Sequence, residues 1–193
     1  MELFDKAMDL AVTAHQGSTR KSSNTPYILH PVEVAAIASR MTDNLDVLCA
    51  ALLHDVVEDA NISLEYIEKE FNSYVAMLVS CETENKRKDL PSSQTWKIRK
   101  LESLNDLAKI SDKGAKIIWL ADKLSNMRSI AAVYAQIGDA VWNNFHQKDK
   151  SEQRWYYESV LNNLTELSEY PAYQELKSLV YYVFNSKEEN NND

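Results

Sequence analysis

The chain has 193 residues, 45% of them hydrophobic, which is enough for one sizeable core. Its three glycines and four prolines are too few to supply the turns of a sandwich or a doubly wound sheet, so an all-α fold is expected. The formal net charge of −8 is the reverse of what a duplex nucleic-acid binder carries, and no G-x-G-x-x-G or phosphate-loop motif suggests a Rossmann or Walker-type site.

Leu3, Phe4, Ala7, Met8, Ala11 and Val12 recur at helical spacing and predict a first helix ending near His15. A polar loop, 17–26, carries Arg20 and Lys21, and Tyr27 to His30 then leads into a second helix with Pro31 in its first turn. A third helix is expected from about Leu45 to Val57, and Ser63 is placed to cap a fourth with Leu64, Ile67 and Phe71 as its apolar stripe. Tyr74 to Glu84 reads as helix, 85–94 as loop, Trp96 to Leu107 as helix and Gly114 to Ile130 as a long helix. A short helix at Ala140 to Phe145, then Ser151 to Ser168 and Pro171 to Phe184, complete a bundle of about eight to ten helices. One domain over 1–185 is expected, with a polar, acidic and disordered tail at 186–193. Cys49 and Cys81 sit in apolar surroundings and read as thiols, and no signal peptide or long apolar span is visible, so a cytoplasmic protein without membrane or nucleic-acid partners is expected.

The most informative stretch is His54-Asp55, which ends the apolar run Leu48 to Leu53 and is followed by Val-Val-Glu58-Asp59. Half-burying such groups costs several kcal/mol unless a partner such as a cation compensates. His54 and Glu58 are spaced i,i+4, as are Asp55 and Asp59, but the adjacent His54 and Asp55 diverge by about 100° on a helix. They converge on one ion only where the helix ends or distorts. His30 upstream and Asp122 downstream each lie within an apolar helical pattern, and Asp122, Asn126 and Ser129 follow i, i+4, i+7 along one stripe. Two imidazoles and two carboxylates form a mixed nitrogen and oxygen set that suits Mn, Fe, Zn or Co. Such an ion lowers the pKa of bound water, and Glu58 or Asp59 beside it can orient that water or take its proton.

His30, His54-Asp55 and Asp122 reproduce the H…HD…D order of the HD phosphohydrolase superfamily. The words Thr25-Pro-Tyr-Ile-Leu-His-Pro-Val-Glu-Val-Ala35, Ala50-Ala-Leu-Leu-His-Asp-Val-Val-Glu-Asp59 and Leu120-Ala-Asp-Lys-Leu-Ser-Asn-Met-Arg128 resemble the hydrolase domain of RelA/SpoT homologues. With no sign of a synthetase domain, the chain is similar to the stand-alone small alarmone hydrolases. The resemblance implies an HD-type metal-dependent hydrolase domain that removes the 3′-pyrophosphate of (p)ppGpp, giving GDP or GTP plus pyrophosphate, with Mn²⁺ as the usual ion and other divalent transition metals as substitutes. It implies His30, His54, Asp55 and Asp122 as metal ligands and Glu58 and Asp59 as the catalytic pair acting on water. It also implies Arg20, Lys21, Tyr27, Asn126 and Ser129 as contacts to the nucleotide, with Ser129 standing where Thr is usual. The chain departs from the family at Cys81-Glu-Thr-Glu-Asn-Lys86, where many bifunctional members carry Gly-Val-Thr-Lys. Lys86, Arg87, Lys88, Lys97, Arg99 and Lys100 are candidates to neutralise a polyphosphate, although Lys86-Arg-Lys88 by itself reads as a solvated loop. Two rivals stay open: an HD phosphohydrolase acting on another nucleotide (ppApp, NADPH or a 5′-nucleotide), and a non-catalytic, antitoxin-like alarmone binder. Homo-oligomerisation also stays open.

Overall fold

In a computed structural model, residues 2–20, 25–87 and 89–185 are described. Among them the secondary structure is helical, apart from an isolated antiparallel bridge between Thr19 and Pro26. The expected tail at 186–193 lies outside the described residues. Helix α1 spans Glu2–Ala14, α2 Leu29–Ala38, α3 Leu45–Leu53, α4 Val56–Ala60, α5 Leu64–Glu70, α6 Ser73–Ser80, α7 Ser92–Leu107, α8 Lys113–Ile137, α9 Lys150–Asn163 and α10 Pro171–Asn185.

Side-chain caps start several of these helices where the chain has short polar residues. Asn44 accepts from Asp46 N–H, Ser63 from Tyr66 N–H, Asn72 from Val75 N–H and Asp112 from Ala115 N–H. Each satisfies an amide that the first helical turn leaves without an internal partner. Helix α8 is the central rod. Ile117, Ile118, Trp119, Leu120, Leu124 and Met127 are buried around its circumference, and α2, α3 and α10 pack against it. Gly114 permits the entry of α8, since a Cβ there would stand 2.7 Å from Val47 Cγ2 and 2.9 Å from Tyr74 Oη.

Several boundaries differ from the periodicity reading, among them the start of α7 at Ser92 rather than Trp96. The third helix stops at Leu53 rather than Val57, because His54 and Asp55 leave the helical register before α4 begins. The helix expected through Glu84 ends at Ser80, where Cys81 and Glu82 N–H turn back onto Leu78 and Val79 carbonyls and the chain departs along the cleft wall. The short segment near Ala140 is a 3₁₀ helix over Gly138–Asn144, entered through Gly138 at φ +58°, a conformation that costs a residue without Cβ little. Helix α8 itself runs on to Ile137, and the predicted Ser151–Ser168 helix divides into α9 and a 3₁₀ turn at Thr165–Leu167.

A candidate metal centre in a charged cleft

The break between α3 and α4 resolves the divergence of His54 and Asp55. His54 closes α3, and Asp55 (φ −98°, ψ −7°) opens α4, so the two side chains turn toward the same point. His30 comes from the first turn of α2, and Asp122 from the middle of α8. His30 Nε2 lies 3.0 Å from Asp122 Oδ1 and 3.7 Å from Asp55 Oδ2. His54 Nε2 lies 3.1 Å from Asp55 Oδ2 and 3.7 Å from Asp122 Oδ1. The ligating atoms of His30, His54 and Asp122 lie within 4.8 Å of one another. Ligands about 2.1 Å from a shared ion stand about 3.0 Å apart at 90° and about 3.4 Å apart at the tetrahedral angle, so the imidazole–carboxylate separations of 3.0–3.7 Å suit one ion, with the 4.8 Å span of the set closing slightly around it.

The tautomers agree with that fit. His54 Nδ1–H donates to the Ala51 carbonyl at 2.8 Å, which leaves Nε2 with its lone pair toward the carboxylates. Although Asp55 is near, Nε2 has no partner in hydrogen-bond geometry and is buried. Ser125 Oγ–H donates to Glu33 Oε2 at 2.7 Å, so the same oxygen accepts from His30 Nδ1–H at 2.9 Å and frees His30 Nε2 in turn. Burial lowers the pKa of both imidazoles. For His30 it prevails, whereas at His54 the Asp55 and Asp122 charges outweigh it and lift the ring to about 10. The two carboxylates thus draw positive charge to the point that both Nε2 atoms face, a proton on His54 or a divalent cation that displaces it.

A second layer surrounds the cluster. Tyr27 Oη donates to Asp55 Oδ2 at 2.5 Å, and Asn126 Nδ2 donates to Asp122 Oδ1 at 2.6 Å. Burial, and then the carboxylate of Asp55, push the Tyr27 hydroxyl well above its ordinary range, so it stays a donor. Lys123 pairs with Asp122 Oδ2 and sits over the Trp119 ring. Glu58 and Asp59 project from α4 toward the cleft and meet Lys86, whose Nζ lies 2.8 Å from Glu58 Oε2 and 2.6 Å from Asp59 Oδ1. Burial raises the pKa of Glu58 despite that cation.

These groups line a cavity of about 350 Å³, and Arg20 lines it with them. Arg20 donates to Asn126 Oδ1 at 3.0 Å and Ser129 Oγ at 3.2 Å, and lies 5.7 Å from the Tyr27 ring centroid. Arg20, Tyr27, His30, His54, Asp55, Glu58, Asp59, Asp122, Asn126 and Ser129 are therefore gathered at one site, while Lys21 lies outside the described residues. His15 is buried against Tyr27, ring centroids 4.8 Å apart.

Sequence reasoning gave no role to two carboxylates of the cleft wall, Glu82 and Glu84. Glu82 is buried 3.6 Å from Lys123, with Oε1 unpartnered, and burial raises its pKa to about 8. Arg99 and Lys100, candidates to neutralise a polyphosphate, are paired with Glu84 in a half-buried ionic cluster. Lys88, in the same run, lies outside the described residues. Tyr156 and Tyr157 are buried yet line the cavity. The available signal was charge in a register where helical period and flanking apolar residues call for burial, as at Glu82 after Leu78-Val79.

Comparison with known proteins agrees with this geometry. A family model described as HD domain matches residues 7–149. Over 136 residues the chain is 40% identical to a guanosine-3′,5′-bis(diphosphate) 3′-pyrophosphohydrolase of Vibrio cholerae, covering 69% of this chain and 19% of that protein. It is 39% identical over 127 residues to the bifunctional (p)ppGpp synthase/hydrolase SpoT of Escherichia coli K12, covering 64% and 17%. The chain thus spans less than a fifth of the length of these curated relatives. A solved metazoan orthologue of SpoT, described as hydrolysing ppGpp, superposes with a TM-score of 0.73 at 30% identity, covering 93% of this chain and 94% of that one. With a family match across most of its length, and His30, His54, Asp55 and Asp122 meeting at one point, the chain belongs to the HD-domain family.

Proposed function

We propose that this domain, taken as residues 1–185, is a Mn²⁺-dependent 3′-pyrophosphohydrolase of guanosine alarmones, converting (p)ppGpp to GDP or GTP plus pyrophosphate. The observation that carries the reading is an acidic pair, Glu58 and Asp59, in one cavity with a two-His, two-Asp cluster and Arg20. The likeness to proteins described as ppGpp hydrolases supports the choice of substrate. A cytoplasmic setting suits a nucleotide substrate.

His30, His54, Asp55 and Asp122 hold the ion. Bound there, a divalent cation supplies Lewis acidity that activates water at neutral pH and offsets phosphoryl charge. Mn²⁺ suits the mixed imidazole and carboxylate donors. Glu58 takes a proton from the attacking water, and Asp59 orients that water toward the phosphorus joined to the 3′-oxygen. The elevated pKa of Glu58 strengthens it as a base. The phosphorus–O3′ bond breaks, pyrophosphate departs, and the proton passes to the 3′-oxygen. Tyr27 steadies Asp55, Arg20 and Lys21 offset phosphate charge, and Asn126 and Ser129 line the nucleotide's path.

A second reading keeps the chemistry and changes the nucleotide. Glu82 and Glu84 favour it, because they put carboxylates where many bifunctional relatives carry Val and Lys. Product analysis over ppGpp, pppGpp, ppApp, NADPH and deoxynucleoside monophosphates with Mn²⁺ separates the two. Pyrophosphate from ppGpp, reduced by at least about 100-fold in Glu58→Gln and Asp59→Asn, is the expected result. Orthophosphate as the product, or pyrophosphate release surviving both substitutions, refutes the proposal.

A further inference from the structure

Segment 82–87 leaves α6 and crosses the cleft wall beside the acidic pair. Glu84 anchors its middle. The Glu84 carboxylate accepts from Lys100 Nζ at 2.6 Å, Ser103 Oγ at 2.9 Å and Arg99 Nη1 at 2.8 Å, all from α7. Only 15% of the Glu84 side chain is exposed, so these charge-assisted bonds are shielded from water and fix the carboxylate rigidly. The Glu84 backbone N–H donates to Glu58 Oε1. Two residues on, Lys86 Nζ binds Glu58 Oε2 and Asp59 Oδ1. Both oxygens of Glu58 are thus held from this one segment. Its start is tied through Trp119 Nε1–H to the Cys81 carbonyl at 3.0 Å, and its end through the exposed Arg87–Glu102 pair.

We propose that Glu84 is a positioning residue, a clamp that locks segment 82–87 onto α7 so that the Glu84 amide and the Lys86 ammonium aim the Glu58 and Asp59 carboxylates. The kinetic consequence rests on the proposed hydrolysis; the mechanical part does not. Glu84 touches no reacting atom and acts entirely through Glu58 and Asp59. A base displaced by about 1 Å loses about 100-fold in rate.

The test uses the full chain with Mn²⁺ and ppGpp. Glu84→Gln keeps the side chain's shape and removes its charge. It is expected to lower kcat about 10- to 100-fold with KM changed less than about threefold, and to speed amide hydrogen exchange across 82–87. In a Glu58→Gln background the same substitution is expected to cost less than about twofold further, because the group it aims is already gone. Lys86→Met, which leaves the α7 clamp intact, is expected to show the same non-additivity and keeps the test open should Glu84→Gln melt below the assay temperature. Asp106→Asn, which breaks an exposed pair with Lys109 that makes no contact with segment 82–87, is expected to leave kcat unchanged. An equal loss from Glu84→Gln in both backgrounds, or unchanged exchange across 82–87, overturns the proposal. If the wild-type chain releases no pyrophosphate, the functional reading fails and the exchange measurement alone decides the clamp.

Discussion

Ser125→Ala tests the tautomer argument directly. Ser125 is fully buried on α8, and its hydroxyl passes a hydrogen bond from His30 Nδ1–H to Glu33. Without it, His30 meets one of two penalties. The ring keeps its proton on Nδ1 and leaves a buried donor unsatisfied, which costs about 1–3 kcal/mol. Alternatively the proton moves to Nε2, and the lone pair that faces Asp122 and Asp55 is lost. At about 1.36 kcal/mol per decade, the first penalty alone corresponds to about a 5- to 150-fold change. The range agrees with the roughly 10- to 100-fold typical of losing a residue that orients a metal-binding histidine. Calorimetric titration of the metal-free protein with Mn²⁺ is expected to show the dissociation constant raised about 10- to 100-fold, with Ser125→Thr retaining most of the affinity. A Ser125→Ala protein that binds Mn²⁺ within twofold of wild type would refute the assignment of His30 Nε2 as a ligand.

Other outcomes follow from the same geometry. Arg20→Ala is expected to raise KM for ppGpp about 10-fold or more while lowering kcat less, since Arg20 lines the cavity on Asn126 and Ser129 and contacts neither Glu58 nor Asp59; steady-state kinetics read the split. Adding Mn²⁺ at about 100 times its dissociation constant contributes about 2.7 kcal/mol and is expected to raise the melting temperature by about 5–10 °C, reversed by chelator; a flat melting curve denies a metal site. Gly114→Ala is expected to destabilise the fold by about 1–3 kcal/mol in denaturant titration, because its methyl meets Val47 and Tyr74 at under 3 Å. Burial pushes the Glu84 carboxyl up, but Lys100, Lys123 and Ser103 outweigh it and hold it down to about 2, against 4.5 ordinarily. The resulting stability, on the order of 3 kcal/mol, is complete above about pH 4.5 and drains away as pH falls toward 2. Acid titration of Glu84→Gln should lack that component, and identical acid curves would contradict it.

Local chemistry made much of this protein readable along the chain. Asn44, Ser63, Asn72 and Asp112 stand at helix starts because short polar side chains satisfy orphan amides there, and Ser63 was legible from its position before an apolar stripe. His30, His54-Asp55 and Asp122 stood out because charge and imidazole interrupt apolar helical periods, where a compensating partner is required. Contacts between distant segments were not readable in this way. The break after Leu53 that lets His54 and Asp55 converge depends on Asp55 reaching Tyr27 and both imidazoles. The helix reading ran past Ser80, since only the folded chain draws Glu82 toward Lys123 and Glu84 onto Arg99 and Lys100. Lys86 looks like solvated charge until α4 and segment 82–87 meet and place it between Glu58 and Asp59. Helical period and capping act over a few neighbouring residues and survive in a linear reading. Ion pairing in a cleft is set by which distant backbones pack together, and only the assembled bundle decides that.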